Sequence, residues 1–77
     1  MGTAAEWRAG NPAELGKTIA RLRQRAGLRQ EDLADRAGIR REYLSKIESG
    51  HATEQLRSLF MILRALGNEF AVVERIH

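Results

Sequence analysis

Residues Gln30–Gly50 read QEDLADRAGIRREYLSKIESG and contain two short helical patterns separated by a glycine. Each pattern places its apolar residues on one face. The apolar positions are Leu33, Ala34, Ala37, Leu44 and Ile47. Gly38 lies between the patterns, and its tolerance of positive φ allows a sharp turn. Two helices joined by a short turn that contains glycine form a helix-turn-helix, whose second helix can enter the major groove of DNA.

The spacing of these residues resembles that of the Cro/CI-repressor (Xre-type) helix-turn-helix family. The matching positions are Gln30, Leu33, Ala34, Gly38, Leu44, Ser45, Ile47, Glu48 and Gly50. Upstream, Leu22-Arg23 and Gly27-Leu28 fit the first helix of that family. The resemblance implies an all-α fold, a lambda-repressor-like DNA-binding domain of four to five helices.

The resemblance also implies which residues meet DNA. The base-reading positions of the family fall on Arg41, Glu42 and Lys46. Arginine or lysine can pair with guanine O6 and N7, and glutamate can accept from a cytosine amino group, so we expect a half-site with G·C pairs. Phosphate contacts are expected from Gln30, Arg40, Tyr43, Ser45 and Arg29. Ser45 could instead bond back to its own helix.

Arg29 and Arg40 depart from the family pattern, because threonine or serine usually caps the helix at each position. A lost N-cap costs about 1 kcal/mol per helix. Each guanidinium could compensate by meeting phosphate, or it could be an ordinary surface arginine. A further implied pair is Arg23 with Glu48, an ion pair that ties the first helix to the recognition helix. Removing one partner of a buried pair costs about 3–5 kcal/mol.

Length and composition set further bounds. Seventy-seven residues without cysteine make one small domain, which self-association could help to stabilise. The net charge is +3, yet Gln30–Gly50 carries four basic and five acidic residues. The placement of Arg40 and Arg41 at the start of the second helix therefore favours DNA binding more than the total charge does. The N-terminus lacks a basic-then-apolar signal pattern, so we expect a soluble cytoplasmic protein with no membrane partner.

The chain divides into three parts. Residues 1–10 show no periodicity and indicate a flexible arm, in which Trp7 either packs on the domain or contacts a partner or DNA. Residues 11–67 form the helix-turn-helix domain, with the motif at 30–49. Its first helix begins with Asn11 as N-cap, followed by proline and then Glu14. A basic row on that helix, either a solvated face or a source of attraction for DNA, comprises Lys17, Arg21 and Arg25.

The third part, residues 68–77, is rich in β-forming residues and is predicted to contain one short strand. A helical core followed by one C-terminal strand resembles the HipB-like antitoxin branch of the same family. A single strand leaves its backbone unpaired, so we expect it to pair with a second copy in a homodimer, the alternative being disorder. The fourth helix, capped by Thr53, has apolar residues beyond a single stripe, which either a close-wrapping domain or a second subunit would cover. The expected dimer interface comprises Met61, Ile62, Phe70, Val72 and Ile76.

We expect a homodimeric transcriptional regulator, a repressor, that binds a pseudo-palindromic operator in double-stranded DNA sequence-specifically. The residues offer no Gly-rich phosphate loop, no catalytic constellation and no metal ligands, so we expect neither an enzyme nor a cofactor. An antitoxin that represses its own operon would fit the same features. Two alternatives stay open: a module that mainly neutralises a toxin partner, and a helix-turn-helix that has lost DNA binding.

Overall fold

The structure is a computed structural model, which describes residues 6–75. Its elements in chain order are β1 (Glu6–Ala9), α1 (Pro12–Arg25), α2 (Gln30–Ala37), α3 (Arg41–Glu48), α4 (Glu54–Ala65) and β2 (Phe70–Val73). Four helices with a small sheet confirm the expected lambda-repressor-like domain. Within residues 6–75, every helix falls short of the length and apolar character that a membrane span requires.

Side-chain caps start the first and last helices. The Asn11 Oδ1 atom accepts a hydrogen bond of 2.8 Å from the backbone N–H of Glu14. The Thr53 Oγ1 atom accepts one of 3.2 Å from the backbone N–H of Leu56. Both predicted N-caps are therefore confirmed. Each satisfies a backbone donor that the helix itself leaves free.

The core lies where α1 packs against α3 and the sheet, and where α2 packs against α3. Its buried apolar side chains are Ala9, Ala34, Leu44 and Phe60. Gly16 in the middle of α1 is also buried, and a Cβ atom there would overlap the carbonyl oxygen of Ile47. The absent side chain thus allows α1 to approach the end of α3 closely.

The sheet corrects the prediction of a flexible N-terminal arm. β1 pairs antiparallel with β2 of the same chain, and Trp7 lies opposite Val72. The prediction of an arm without regular structure is wrong for Glu6–Ala9, because these residues hydrogen-bond to β2. β2 therefore has a partner strand in its own chain, which the sequence did not predict, while its pairing with a second copy stays a prediction. Residues 1–5 of the predicted arm, and Ile76, lie outside the described residues.

One side of α4 leaves large apolar side chains exposed. Phe60 is buried against the domain, whereas Leu59, Ile62 and Leu66 are 49%, 55% and 68% exposed. These three residues follow the i, i+3, i+7 spacing of one helical stripe. Met61 is 65% exposed on the other side of Phe60. Phe70 and Val72 of the expected interface are instead half-buried in their own domain.

Candidate DNA-binding surface

Helix α3 is held by one face and leaves the opposite face free. Leu44 is 3% exposed and anchors the helix on the core. Glu42 and Lys46 are exposed and one helical turn apart, so they lie side by side on the free face. Arg41 is exposed at the first turn of the same helix. The three predicted base-reading side chains therefore lie together on solvent-facing parts of one short helix.

The turn before α3 sets its direction. Gly38 has φ +72°, in the left-handed region, and the following N–H of Ile39 donates to the Ala34 carbonyl at 3.0 Å. Arg40 occupies the N-cap in an extended conformation without a side-chain cap hydrogen bond. Its guanidinium is exposed, as a phosphate contact requires. The missing cap at Arg40 was expected from the sequence.

Arg29 is already bound to carboxylates at the start of α2. Its Nε atom lies 3.2 Å from Asp32 Oδ2, and its Nη1 atom lies 3.1 Å from Glu31 Oε1. The backbone N–H of Arg29 also donates to Asp32 Oδ2 at 2.9 Å, so Asp32 satisfies the donor of the N-cap residue. The arginine side chain itself offers no acceptor to the first-turn N–H groups of α2. These bonds hold the pKa of the Asp32 carboxyl below its ordinary value. A phosphate would have to compete with both carboxylates for Arg29.

Arg23 and Glu48 join α1 to the end of α3. Arg23 Nε donates to Glu48 Oε2 at 2.8 Å, and its Nη2 donates to Oε1 at 3.0 Å. Arg23 Nη1 also donates to the Leu28 carbonyl at 2.9 Å. The side chains are 13% and 7% exposed, so the pair that the resemblance implied is nearly buried. The Arg23 hydrogen bonds hold the pKa of the Glu48 carboxyl below its ordinary value, against the opposing effect of burial.

Gln30 extends this network towards the free face of α3. Its Nε2 donates to Glu48 Oε1 at 3.0 Å, and its Oε1 accepts a long bond of 3.5 Å from Arg41 Nη1. The sequence predicted only a phosphate role for Gln30. No local pattern reveals this link, because its partners are 18 and 11 residues away in the chain.

Two other predicted contacts flank α3. Tyr43 is 46% exposed and lines a groove of about 380 Å³ between α3 and α4. Lys46, Ile47 and Leu56 line the same groove. Ser45 is half-buried on the opposite flank of α3. Gly16 was missed by the sequence reasoning, although a glycine inside a helical pattern is itself a signal of close packing.

Comparison with known proteins agrees with this geometry. A family model described as helix-turn-helix matches residues 19–73. The uncharacterized HTH-type transcriptional regulator y4dJ of Sinorhizobium fredii is 38% identical over 53 residues, which cover 69% of each chain. A second such regulator of that organism, y4mF, is 32% identical over 56 residues, or 73% of this chain and 74% of its own.

An uncharacterized HTH-type transcriptional regulator of Haemophilus influenzae is 30% identical over 59 residues, covering 77% of this chain and 60% of that protein. No solved structure matches the chain with comparable significance. The family model spans more than half of the chain and includes the whole motif at residues 30–49. The chain therefore belongs to the Xre-type helix-turn-helix family, as its sequence had indicated.

Proposed function

We propose that this protein is a sequence-specific, double-stranded DNA-binding transcriptional regulator that inserts α3 into the major groove. The observation that carries the proposal is the exposed grouping of Arg41, Glu42 and Lys46 on a helix anchored by buried Leu44. A major groove is wide enough to admit such a helix, and these side chains match the polar edges of G·C pairs. Similar chains that carry the name of transcriptional regulator support the same function.

The remaining roles follow from what surrounds α3. Arg40 and Tyr43 are exposed at its start and flank, where phosphates bordering the groove would pass. Gln30 and Ser45 are half-buried beside it and are further proposed phosphate contacts. Arg29 is a weaker phosphate contact than Arg40, because Asp32 and Glu31 already bind its guanidinium.

The proposed active form is a homodimer that covers the apolar side of α4. Leu59, Ile62 and Leu66 form an exposed stripe without a charged residue among them. In a twofold interface each such stripe meets its own copy, so the absence of like charges favours self-association. Met61 extends the contact around the helix. The dimer would read a pseudo-palindrome with half-sites about 34 Å apart, or multiples of that turn.

A dimer bound to its operator would block access of the transcription machinery, so the simplest role for it is that of a repressor. We place this role in the cytoplasm. An antitoxin role is the second candidate. It is favoured by Trp7, which is half-buried beside a groove of about 310 Å³ that Leu22 and Val72 also line. A toxin bound there would leave α3 free for DNA. If toxin neutralisation were the main task, DNA binding would be secondary or lost.

The experiment is selection of bound sequences from a randomised duplex library, followed by titration of the selected site. Arg41→Ala and Lys46→Ala should each lose preference at separate base pairs, with a cost of about 1–3 kcal/mol per lost bidentate contact. Arg75→Ala removes the same charge from an exposed position after β2 and should leave the preference unchanged. Wild-type protein that binds scrambled duplexes equally well would contradict sequence-specific function.

A further inference from the structure

His51 follows the end of α3 and is held there by two hydrogen bonds. Its backbone N–H donates to the Lys46 carbonyl at 2.9 Å. Its ring Nδ1 atom lies 3.0 Å from the hydroxyl oxygen of Ser49. The same hydroxyl lies 3.0 Å from the Lys46 carbonyl oxygen. These contacts hold the imidazole at the C-terminal end of the proposed recognition helix.

The Ser49 hydroxyl determines which ring nitrogen of His51 carries the proton. A hydroxyl has a single proton to donate, and a carbonyl oxygen can only accept. The Ser49 proton therefore points to the Lys46 carbonyl, and the bond to His51 must use a proton on Nδ1. In a neutral ring this is the one N–H group, so Nε2 carries a lone pair. A neutral His51 thus presents an acceptor at Nε2.

His51 is exposed and lines the groove between α3 and α4. Lys46, a proposed base-reading residue, and Tyr43, a proposed phosphate contact, line the same groove. Both are titratable, whereas Thr53 and Leu56, which line the groove from the start of α4, are uncharged. His51 therefore lies beside side chains that would face DNA, and Lys46 is the charged group among its neighbours in the groove.

We propose that His51 is a phosphate contact that donates only when its ring is doubly protonated, so that DNA binding takes up a proton. This inference rests on the proposed function, which places DNA across α3. A phosphate oxygen would repel the lone pair of a neutral Nε2, whereas an imidazolium donates from Nε2 and keeps its Nδ1 bond to Ser49. The negative end of the α3 dipole favours the imidazolium. Lys46 opposes protonation in the free protein, and phosphates would offset its charge in the complex.

A purely structural role for His51 would have a different consequence. If the ring only closed the turn after α3 through its bond to Ser49, its loss would change the stability of the protein but not the pH dependence of DNA binding. A phosphate contact instead adds one proton and one neutralised phosphate for each bound copy. The pH dependence of the affinity counts the protons, and its salt dependence counts the phosphates.

The test measures the affinity of the wild type for its selected duplex between about pH 8 and about pH 6, a range that contains the ordinary titration of histidine. We expect binding to tighten by at least about threefold per bound copy as the pH falls, within the limit of about tenfold per pH unit that uptake of one proton sets. The plot of log affinity against log salt concentration should be steeper by about 0.9 per copy at the lower pH. Calorimetry in two buffers of different ionisation heat counts the protons directly.

Two variants separate this proton from others. Lysine keeps its charge throughout the range, so His51→Lys should bind with little pH dependence. Ser49→Ala lacks the hydroxyl that holds the proton on Nδ1, so a neutral ring can carry it on Nε2 and donate to phosphate. This variant should retain more of its affinity at the higher pH and lose most of the dependence. His77→Gln, which changes the other histidine of the chain, is the matched control and should keep the wild-type dependence.

Several results would overturn the inference and leave the proposed function intact. These are a wild-type affinity that does not change with pH, a dependence that persists in His51→Lys or Ser49→Ala, its loss in His77→Gln, or a salt slope that is the same at both pH values. Binding to scrambled duplexes is a separate measurement. Equal affinity for scrambled and selected duplexes would contradict the proposed function, even where the pH dependence is found. Circular dichroism verifies that each variant is folded, as expected for an exposed side chain at position 51.

Discussion

The rings of Phe60 and Phe70 meet edge to face, with centroids 4.9 Å apart and planes inclined by 74°. Phe60 lies in α4 and Phe70 in β2, so this contact fixes the C-terminal strand on the helical domain of its own chain. Aromatic pairs in this geometry contribute about 0.5–1.5 kcal/mol beyond the area that they bury. The C-terminal strand is therefore packed on the helical domain of its own chain.

The Phe70→Ala variant should be less stable than the wild type by about 2–3 kcal/mol, below the usual range for a fully buried phenylalanine because Phe70 is half-buried. The variant loses the aromatic contact with Phe60, and the packing of β2 on the helical domain becomes weaker. Urea denaturation followed by circular dichroism measures it. Val73→Ala changes an exposed position of the same strand and should cost under about 1 kcal/mol. Equal losses in the two variants would contradict this assignment of the core.

The strand also shows how far local sequence patterns extend. The caps at Asn11 and Thr53, the turn at Gly38 and the β-character of β2 are local properties, and each was predictable. The four residues of β1 are too few to display a clear alternation. Their pairing with β2 depends on contacts more than sixty residues away. Pairing between strands so far apart in the chain cannot be predicted from a short stretch of sequence.

The candidate site likewise has features that the sequence predicts and contacts that it does not. Arg41, Glu42 and Lys46 were located by the resemblance, which places the family's base-reading positions on one helix. Asp32 lies in the first turn of α2, and its bonds to Arg29 depend on side-chain conformations that the sequence pattern does not specify. The link from Glu48 to Gln30 joins separate helices and required coordinates.

The Gly16→Ala variant should destabilise the protein, although alanine is about 1 kcal/mol better than glycine in an ordinary helix. An added Cβ would overlap the Ile47 carbonyl oxygen and lie 3.0 Å from that of Glu48. Both are backbone atoms, so α1 and α3 would have to separate. We expect a loss of about 1–3 kcal/mol, typical of overpacking. Lys17→Ala, at the exposed neighbouring position, is the control for thermal unfolding. Stabilisation by Gly16→Ala would refute the close approach.

Stability should fall in acid through Glu48. The folded pKa of Glu48 lies below its ordinary value of 4.5, which we take for the unfolded chain. Its contribution is therefore complete above pH 4.5 and is lost as the pH falls through the folded pKa. Urea denaturation across this pH range should show a steeper loss for the wild type than for Glu48→Gln. Parallel curves would show that the pair does not contribute this dependence.

The Glu48→Gln variant should itself lose about 3 kcal/mol near neutral pH, because it leaves Arg23 nearly buried without a charged partner. The double variant Arg23→Met with Glu48→Met removes both charges and should recover much of that loss. A double variant as unstable as Glu48→Gln would instead assign the effect to packing. Asp32→Asn tests a carboxyl that is more exposed than that of Glu48 and whose pKa is also lowered, and it should change the stability much less.

The exposed α4 stripe of Leu59, Ile62 and Leu66 is the proposed dimer interface. Ile62→Glu should convert the proposed homodimer to a monomer, because a twofold interface would bring two buried carboxylates together. Sedimentation equilibrium measures the association state, and circular dichroism verifies that the helices persist, as expected for a side chain that is already 55% exposed. Arg57→Glu, at another exposed position of α4, is the matched control.

Truncation of β2 would not serve as a test of dimerisation, because it would remove the contact of Phe70 with Phe60 and destabilise the domain. A wild type that stays monomeric at high concentration would contradict dimerisation through α4, and an Ile62→Glu protein that remains dimeric would place the interface elsewhere.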